Sequence, residues 1–401
     1  MKHIITSSSF LFLVGTLLLV GCTSKSDKVE TSIPTIEMRQ NAATNELITF
    51  SEGISRIEYI PLELTDDGAS MLADAMDISV TNEYVFVFPT KQGGIFQFSR
   101  ADGKFIRKFA PQGNGPGETQ LVLNIYSDET ARKVYIVQPH NTLEYTFDGE
   151  YVVSHEQKHA ISLQYPVDDS WVVEMGAEYV PFNAPELIGM GVFTRSGETI
   201  TAKNDFARPD ILPEDASCLK DVRSALSHNS VLYFVSSNDT VFRLTDQSIE
   251  PAFVLNRQNS RESLEGALHP QGEDMLPNNF WVYDFLETPK SFYVRAIFND
   301  KMHLFAYDKE TQTTTAQISE INPHEIFGFD RWMQGIGINI GEEKIPLWAT
   351  KSYPEKKILA QYLPAAEIFY LKEKNIINQL PSEIAHIDEG NNPVIVVYHL
   401  N

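Results

Sequence analysis

His155 and His159 are the histidines whose spacing comes nearest to a metal site, since positions i and i+4 share one face of a helix. Their segment reads as a strand end running into a loop, so the pair is expected to be solvated and not to hold zinc. Asp66-Asp67-Gly68 and Asp168-Asp169 start, but do not complete, the alternating Asp/Asn pattern of a calcium loop. Gly113-Asn114-Gly115-Pro116-Gly117 has glycines at every second position, with no lysine and no amphipathic helix after it. It is read as a tight connection and not a phosphate cradle, with Glu118 placed to cap its amides. Cys218 has no motif around it and reads as a small buried apolar residue. No metal or cofactor is expected. Large rings with a cation nearby are the better candidates for ligand contact, because exposed aromatics are costly without a use. Trp281 and Tyr283 in Phe280-Trp-Val-Tyr283, and Arg331 and Trp332 in Phe327-Gly-Phe-Asp-Arg-Trp332, are the expected ligand-binding residues. They are set beside the segments expected to be inserted loops.

The N-terminus carries chemistry of another kind. Lys2 precedes the apolar run Ile4 to Val20, which is short for a membrane-spanning helix of ~20 residues. The run ends in Leu19-Val20-Gly21-Cys22, which resembles the bacterial lipobox. Residues 1–21 are therefore read as a signal peptide and Cys22 as the site of lipid attachment. Thr23 in place of Asp after Cys22 gives no inner-membrane retention signal, so the expected location is the cell envelope, on the outer membrane. More than one acyl chain gives stable anchoring, so the membrane is an expected partner through lipid alone.

The charge of −22 and pI near 4.8 come from 54 acidic against 32 basic residues, and exclude nucleic acid as a partner. Acylation of Cys22 would leave Cys218 alone, so no internal disulfide is expected. Any catalytic pair among so many carboxylates would come from distant parts of the chain, and spacing does not identify one.

The elements that must position these groups are strands. From Thr23 to Glu46 the chain is polar and aperiodic, and is read as a flexible tether over residues 22–46. Beyond it, short β-branched and aromatic runs alternate with Asp, Asn, Gly and Pro. Tyr84–Phe88, Ile95–Phe98 and Lys104–Phe109 form a meander with Asp102-Gly103 as its tight turn, repeated by Lys133–Val137, Thr142–Phe147 and Glu150–Val153 around Asp148-Gly149. Weaker copies contain Ser170–Glu174, Val231–Val235 and Ser291–Arg295, and the last includes Ile368–Leu371 and Val394–Tyr398. Such recurrence predicts an all-β β-propeller over residues 47–401, with six blades of four antiparallel strands at about 59 residues per blade. Ile54 to Leu64 is placed to complete the blade formed by the C-terminal strands, which removes open sheet edges. Residues 256–279 and 322–346 are the expected insertions.

Tyr59-Ile-Pro-Leu-Glu-Leu64, Gly103–Ile106 leading to Gly113–Glu118, Asn238–Leu244 followed by Glu250–Leu255, and Asn391–Tyr398 occur in an order that resembles the six-bladed propeller lipoproteins of Bacteroides and its relatives, distant cousins of NHL-repeat propellers. The resemblance implies a fold, an envelope location and a binding role, without a reaction. The long aromatic segment from Phe327 to Trp348 departs from it. The expected function is thus a lipid-anchored binding or scaffold module for a glycan or an envelope protein. The alternatives are a glycan- or lactone-acting hydrolase or lyase at the channel mouth, and a structural subunit of an envelope complex.

Overall fold

Val85, Phe86 and Val87 are fully buried in succession, because a propeller strand packs both of its faces against neighbouring blades. A computed structural model describes residues 32–38, 43–44, 53–73, 77–89, 91–157, 161–166, 171–176, 188–194, 196–204, 222–227, 230–236, 238–258, 280–299, 301–319, 336–340, 343–347, 349, 351–373 and 380–401. Three strands come first: β1 (Thr35–Glu37), β2 (Ala43–Thr44) and β3 (Ile54–Pro61). Blade 1 is β4 (Asp77–Val80), β5 (Tyr84–Phe88), β6 (Ile95–Ser99) and β7 (Phe105–Phe109). Blade 2 is β8 (Asn124–Asp128), β9 (Lys133–Val137), β10 (Asn141–Thr146) and β11 (Tyr151–Glu156). Blade 3 is β12 (Ile161–Pro166), β13 (Trp171–Gly176), β14 (Ile188–Thr194) and β15 (Thr199–Asn204). Blade 4 is β16 (Val222–Ser227), β17 (Ser230–Val235), β18 (Thr240–Leu244) and β19 (Ile249–Asn256). Blade 5 is β20 (Trp281–Glu287), β21 (Ser291–Phe298), β22 (Lys301–Asp308) and β23 (Thr313–Ser319). A separate hairpin, β24 (Ile336–Ile340) with β25 (Glu343–Leu347), precedes blade 6. Blade 6 is β26 (Lys351–Tyr353), β27 (Ile358–Leu363) and β28 (Val394–Leu400), with β3 as its outermost strand.

The protein is therefore a six-bladed β-propeller of four-stranded antiparallel sheets. First strands of successive blades approach one another, β4 with β8, β8 with β12 and β16 with β20, so they line the centre. Closure comes from Asp77 on β4. Its carboxylate takes an ion pair from Lys351 on β26 at 2.6 Å and a hydrogen bond from the Ile125 amide on β8 at 2.8 Å. One side chain thus fastens blades 6, 1 and 2. Tyr353 adds a hydroxyl acceptor for the Val80 amide at 2.8 Å. As expected, β3 closes the last blade, pairing Ile60 with Ile395 and Tyr59 with Val396.

Two expectations are corrected. The flexible tether drawn to Glu46 is too long: β1 pairs in parallel with β19, placing Ile36 opposite Leu255, and β2 pairs in parallel with β23. Ile36 and Met38 are buried in the seam between blades 4 and 5, so two apolar residues in a polar run dock the segment on an open sheet edge. Ile368–Leu371, expected in a strand, lies instead in helix α1 (Ala365–Glu373). Pro364 starts it, its carbonyl accepting the Glu367 and Ile368 amides, and Ile368 packs on Ile384 and Ile387. A short apolar run suits either conformation, and the preceding proline favours the first turn of a helix.

Candidate functional site

The six blades meet in six seams, and among the described residues five hold the larger apolar clusters. Among the described residues, the seam between blades 1 and 2 buries a cluster of twelve, including Phe86, Ile95, Phe109, Ile125, Ile136 and Phe147. In the seam between blades 2 and 3 the described residues form a smaller cluster of Tyr126, Tyr135, Val137 and Ile161, with Val172 and Phe193 also buried on the blade 3 side. At about 1.5–3 kcal/mol for each large apolar side chain fully buried, this described cluster contributes less than the one between blades 1 and 2. The reason lies in the alternation of blade 2. Ile125, Val134, Ile136 and Leu143 point to blade 1, whereas Tyr126, Tyr135, Thr142, Glu144 and His155 point the other way.

This seam opens into a cleft of about 220 Å³, lined also by Glu156, Gln157, Gln164, Val172, Phe193, Thr194, Ser196 and Gly197. Tyr126 and Tyr135 are cross-strand partners with rings stacked at 4.8 Å. A chain of neutral polar groups crosses from blade to blade. Gln157 Nε2 donates to Thr142 Oγ1 at 2.9 Å, and Thr142 Oγ1 and Tyr126 Oη donate to Gln164 Oε1 at 3.1 and 3.0 Å. Gln164 is fixed by its backbone, its carbonyl accepting Asn124 Nδ2 at 2.8 Å and its amide donating to Asn124 Oδ1 at 3.2 Å. The Gln157 Oε1 acceptor is buried and has no hydrogen-bond partner. Glu144 lies between His155 Nε2 at 2.8 Å and Lys133 Nζ at 3.2 Å. The cleft thus offers hydroxyls, amides and aromatic edges over an apolar floor of Val172 and Phe193. That lining suits a small neutral ligand, and its volume is below the ~300–1,000 Å³ of pockets for drug-sized molecules.

Elsewhere the polar clusters act as staples between blades. Glu287 accepts from Arg243 Nη2 and Lys309 Nζ at 2.8 Å, and from Ser227. Burial pushes its carboxyl up, but Arg243 and Lys309 outweigh this and hold it below the usual carboxylate range. The Arg257 guanidinium is buried against Asp239 at 2.9 Å and the Ser236 and Asn238 carbonyls of its own blade, and reaches the Phe280 carbonyl at the start of blade 5 at 3.3 Å. Among the described residues no three His, Cys, Asp or Glu side chains converge as a metal site would require.

Residues 155–159 spell His-Glu-Gln-Lys-His, the order of a helix-borne zinc motif. His155 and Glu156 lie on strand β11, where the helical face that the motif needs does not exist, and His159 lies outside the described residues. Trp281 and Tyr283 lie on β20, the innermost strand of blade 5, with ring centroids 5.7 Å apart. Arg223 sits 5.2 Å from the Trp281 ring and Arg295 5.0 Å from the Tyr283 ring. These two aromatics are on a different seam from the cleft. Arg331, Trp332, Cys22 and Cys218 lie outside the described residues. Gly113–Gly117 joins blades 1 and 2 as expected, and Glu118 caps it through the Gly115 amide at 2.8 Å.

A family described as a domain of unknown function, DUF4934, matches residues 33–399, almost the whole propeller. No curated protein matches the chain in sequence. A Bacteroides fragilis protein described as exported superposes with a TM-score of 0.63 at 15% identity, covering 92% of this chain and 100% of its own, and shares the fold. A DUF4221-family protein of Bacteroides vulgatus aligns over 87% of this chain and 97% of its own, at 10% identity and a TM-score of 0.47. The WD40 domain of Neurospora crassa Pan2 covers 69% of this chain and 75% of its own, at 11% identity and a TM-score of 0.37.

Proposed function

The chain belongs to the DUF4934 family, and from that footing we propose that it is a binding module tethered outside the cytoplasm by lipid on Cys22, with a neutral glycan held in the seam between blades 2 and 3. The observation that carries this reading is the polar opening of that seam among seams closed by apolar cores. A rigid ring presents the cleft with little reorganisation, which spares a ligand the cost of ordering its site. Among the described residues the lining contains no lysine or arginine. A polyanionic glycan would therefore meet an acidic protein with no cation among those residues to receive it.

Calorimetric titration of the purified protein with neutral gluco-, manno- and chito-oligosaccharides tests the site. Thr194→Trp places an indole at the rim of the cleft and is expected to weaken binding at least tenfold, while Trp281→Ala on blade 5 leaves it unchanged. Absence of saccharide binding, or equal binding by Thr194→Trp, rejects the reading. For the tether, metabolic labelling with a palmitate analogue is expected to mark the wild type and not Cys22→Ala. Equal labelling of both removes the anchor from the proposal.

A further inference from the structure

Blade 2 has a second opening on its other face. About 400 Å³ is enclosed by the Asn114–Leu121 connection, the Gln138–Asn141 turn, Leu143, Tyr151 and Ser154. The two cavities are separated by one sheet. Thr142 lines the first and Asn141 and Leu143 the second, as alternating positions on β10 require. At the top of the blade Gln157 donates its amide to the His140 carbonyl at 2.9 Å, so the β9–β10 turn and the end of β11 form a low wall between them. Stacked sheets lie about 10 Å apart, which sets the order of the distance from one cavity to the other.

The second cavity shares the amides and hydroxyls of the first, without its Glu144–His155 pair and Glu156. Gln120 Nε2 donates to Asn114 Oδ1 at 2.8 Å, Gln138 Nε2 to Asn141 Oδ1 at 3.2 Å, and Asn141 Nδ2 to Ser154 Oγ at 2.8 Å. Among the described residues its one carboxylate, Glu118, is engaged by the Gly115 amide, and neither cavity is lined by lysine or arginine. Tyr151, 39% exposed, adds a ring at the outer end. Two cavities rich in amides and hydroxyls, with no lysine or arginine among their described lining residues, flank one thin wall and suit a hydroxyl-rich chain better than two unrelated small molecules.

Resting on the reading of the first cleft as a glycan site, we infer that the two cavities are subsites for one linear neutral oligosaccharide that crosses blade 2 over the β9–β10 turn. Each end occupies a cavity and the middle residues pass His140. Filling the second subsite is then intramolecular, so affinity rises steeply once the chain is long enough to span the wall and little beyond that.

The test is calorimetry on the full protein with gluco-, manno- and chito-oligosaccharides of one to six units. Expected is a rise of at least tenfold between the shortest binding sugar and the longer members of its series. Asn114→Trp, at an exposed position of the second cavity, is expected to cut long-chain affinity to that of the short sugar and to leave the short sugar unaffected. Equal affinity at all lengths, or an unchanged long-chain affinity in Asn114→Trp, overturns the two-subsite inference and leaves the single-cleft reading standing. If no saccharide of any length binds, both fall.

Discussion

His303 shows what packing does to a titrating group. It sits on β22 among Phe280, Phe298 and Phe305, stacked on Phe305 at 5.9 Å, with Nδ1 buried and unpartnered. Burial drives its imidazole down to about 4 from 6.5, and Lys301 adds to this against the opposing Phe298 backbone hydrogen bond. The unfolded chain therefore takes up a proton first as pH falls. Stability supplied by the neutral ring is full above about 6.5 and is lost progressively down to about 4, by up to roughly 3 kcal/mol. Glu287, with its carboxyl held below 4.5, has the same sign but loses its contribution below that value. Urea unfolding between pH 7 and 4 is expected to show the His303 slope in the wild type and a shallower one in His303→Gln. An unchanged slope contradicts the assignment. Residues differ in how far sequence exposes them. Gly103 was legible: its φ of +70° serves the turn, and a side chain there would collide with the Pro61 carbonyl. Gln157, Thr142 and Gln164 were not, because three polar residues spread over 23 positions acquire meaning only when two blades meet.

At the scale of elements, the middle strands were legible because each is a short β-branched or aromatic run. Tyr84–Phe88, Lys133–Val137 and Val231–Val235 are examples. The innermost strands were harder to see: β4 is Asp-Ile-Ser-Val and β8 Asn-Ile-Tyr-Ser-Asp, since positions near the centre bond to other blades through Asp77, Asn124 and Ser127. The strand β1 was hidden for a different reason. Thr35-Ile-Glu37 has no periodicity of its own and gains strand geometry from β19, with Val254 donating to the Pro34 carbonyl at 2.9 Å. Large-to-small changes in a core cost about 2–5 kcal/mol. Ile36→Ala is therefore expected to lower the unfolding free energy by a value in that range, measured by denaturant titration, with slowed amide exchange at Met38 in the wild type. A free tether would show neither effect.

At the scale of the molecule, ring closure and opening of one seam are two sides of the same arrangement. Burial pulls Lys351 down, but Asp77 beside it outweighs this and holds its ammonium form above the ordinary lysine range. A carboxylate that also receives the Ile125 amide ties the ring at its centre. With the closure made there and by the apolar seams, the boundary of blades 2 and 3 is free to carry Gln, Thr and Glu beside a smaller apolar cluster. Six blades and all-β architecture were readable from the repeat. The cleft was not, because sequence repeats record what blades share, and this seam is where they differ. The expected aromatic site at Trp281 and Tyr283 followed from large rings beside an expected insertion, and the structure sets those rings against Arg223 and Arg295 on blades 4 and 5.

The measurement that bears most directly on this account is a crystal structure of the protein with its tightest-binding neutral oligosaccharide. The account predicts sugar density between blades 2 and 3, in contact with Gln157, Thr194 and Gln164, with the remainder of the chain crossing the β9–β10 turn. Sugar seated at the central channel beside Trp281 and Tyr283, with an empty seam between blades 2 and 3, would contradict it.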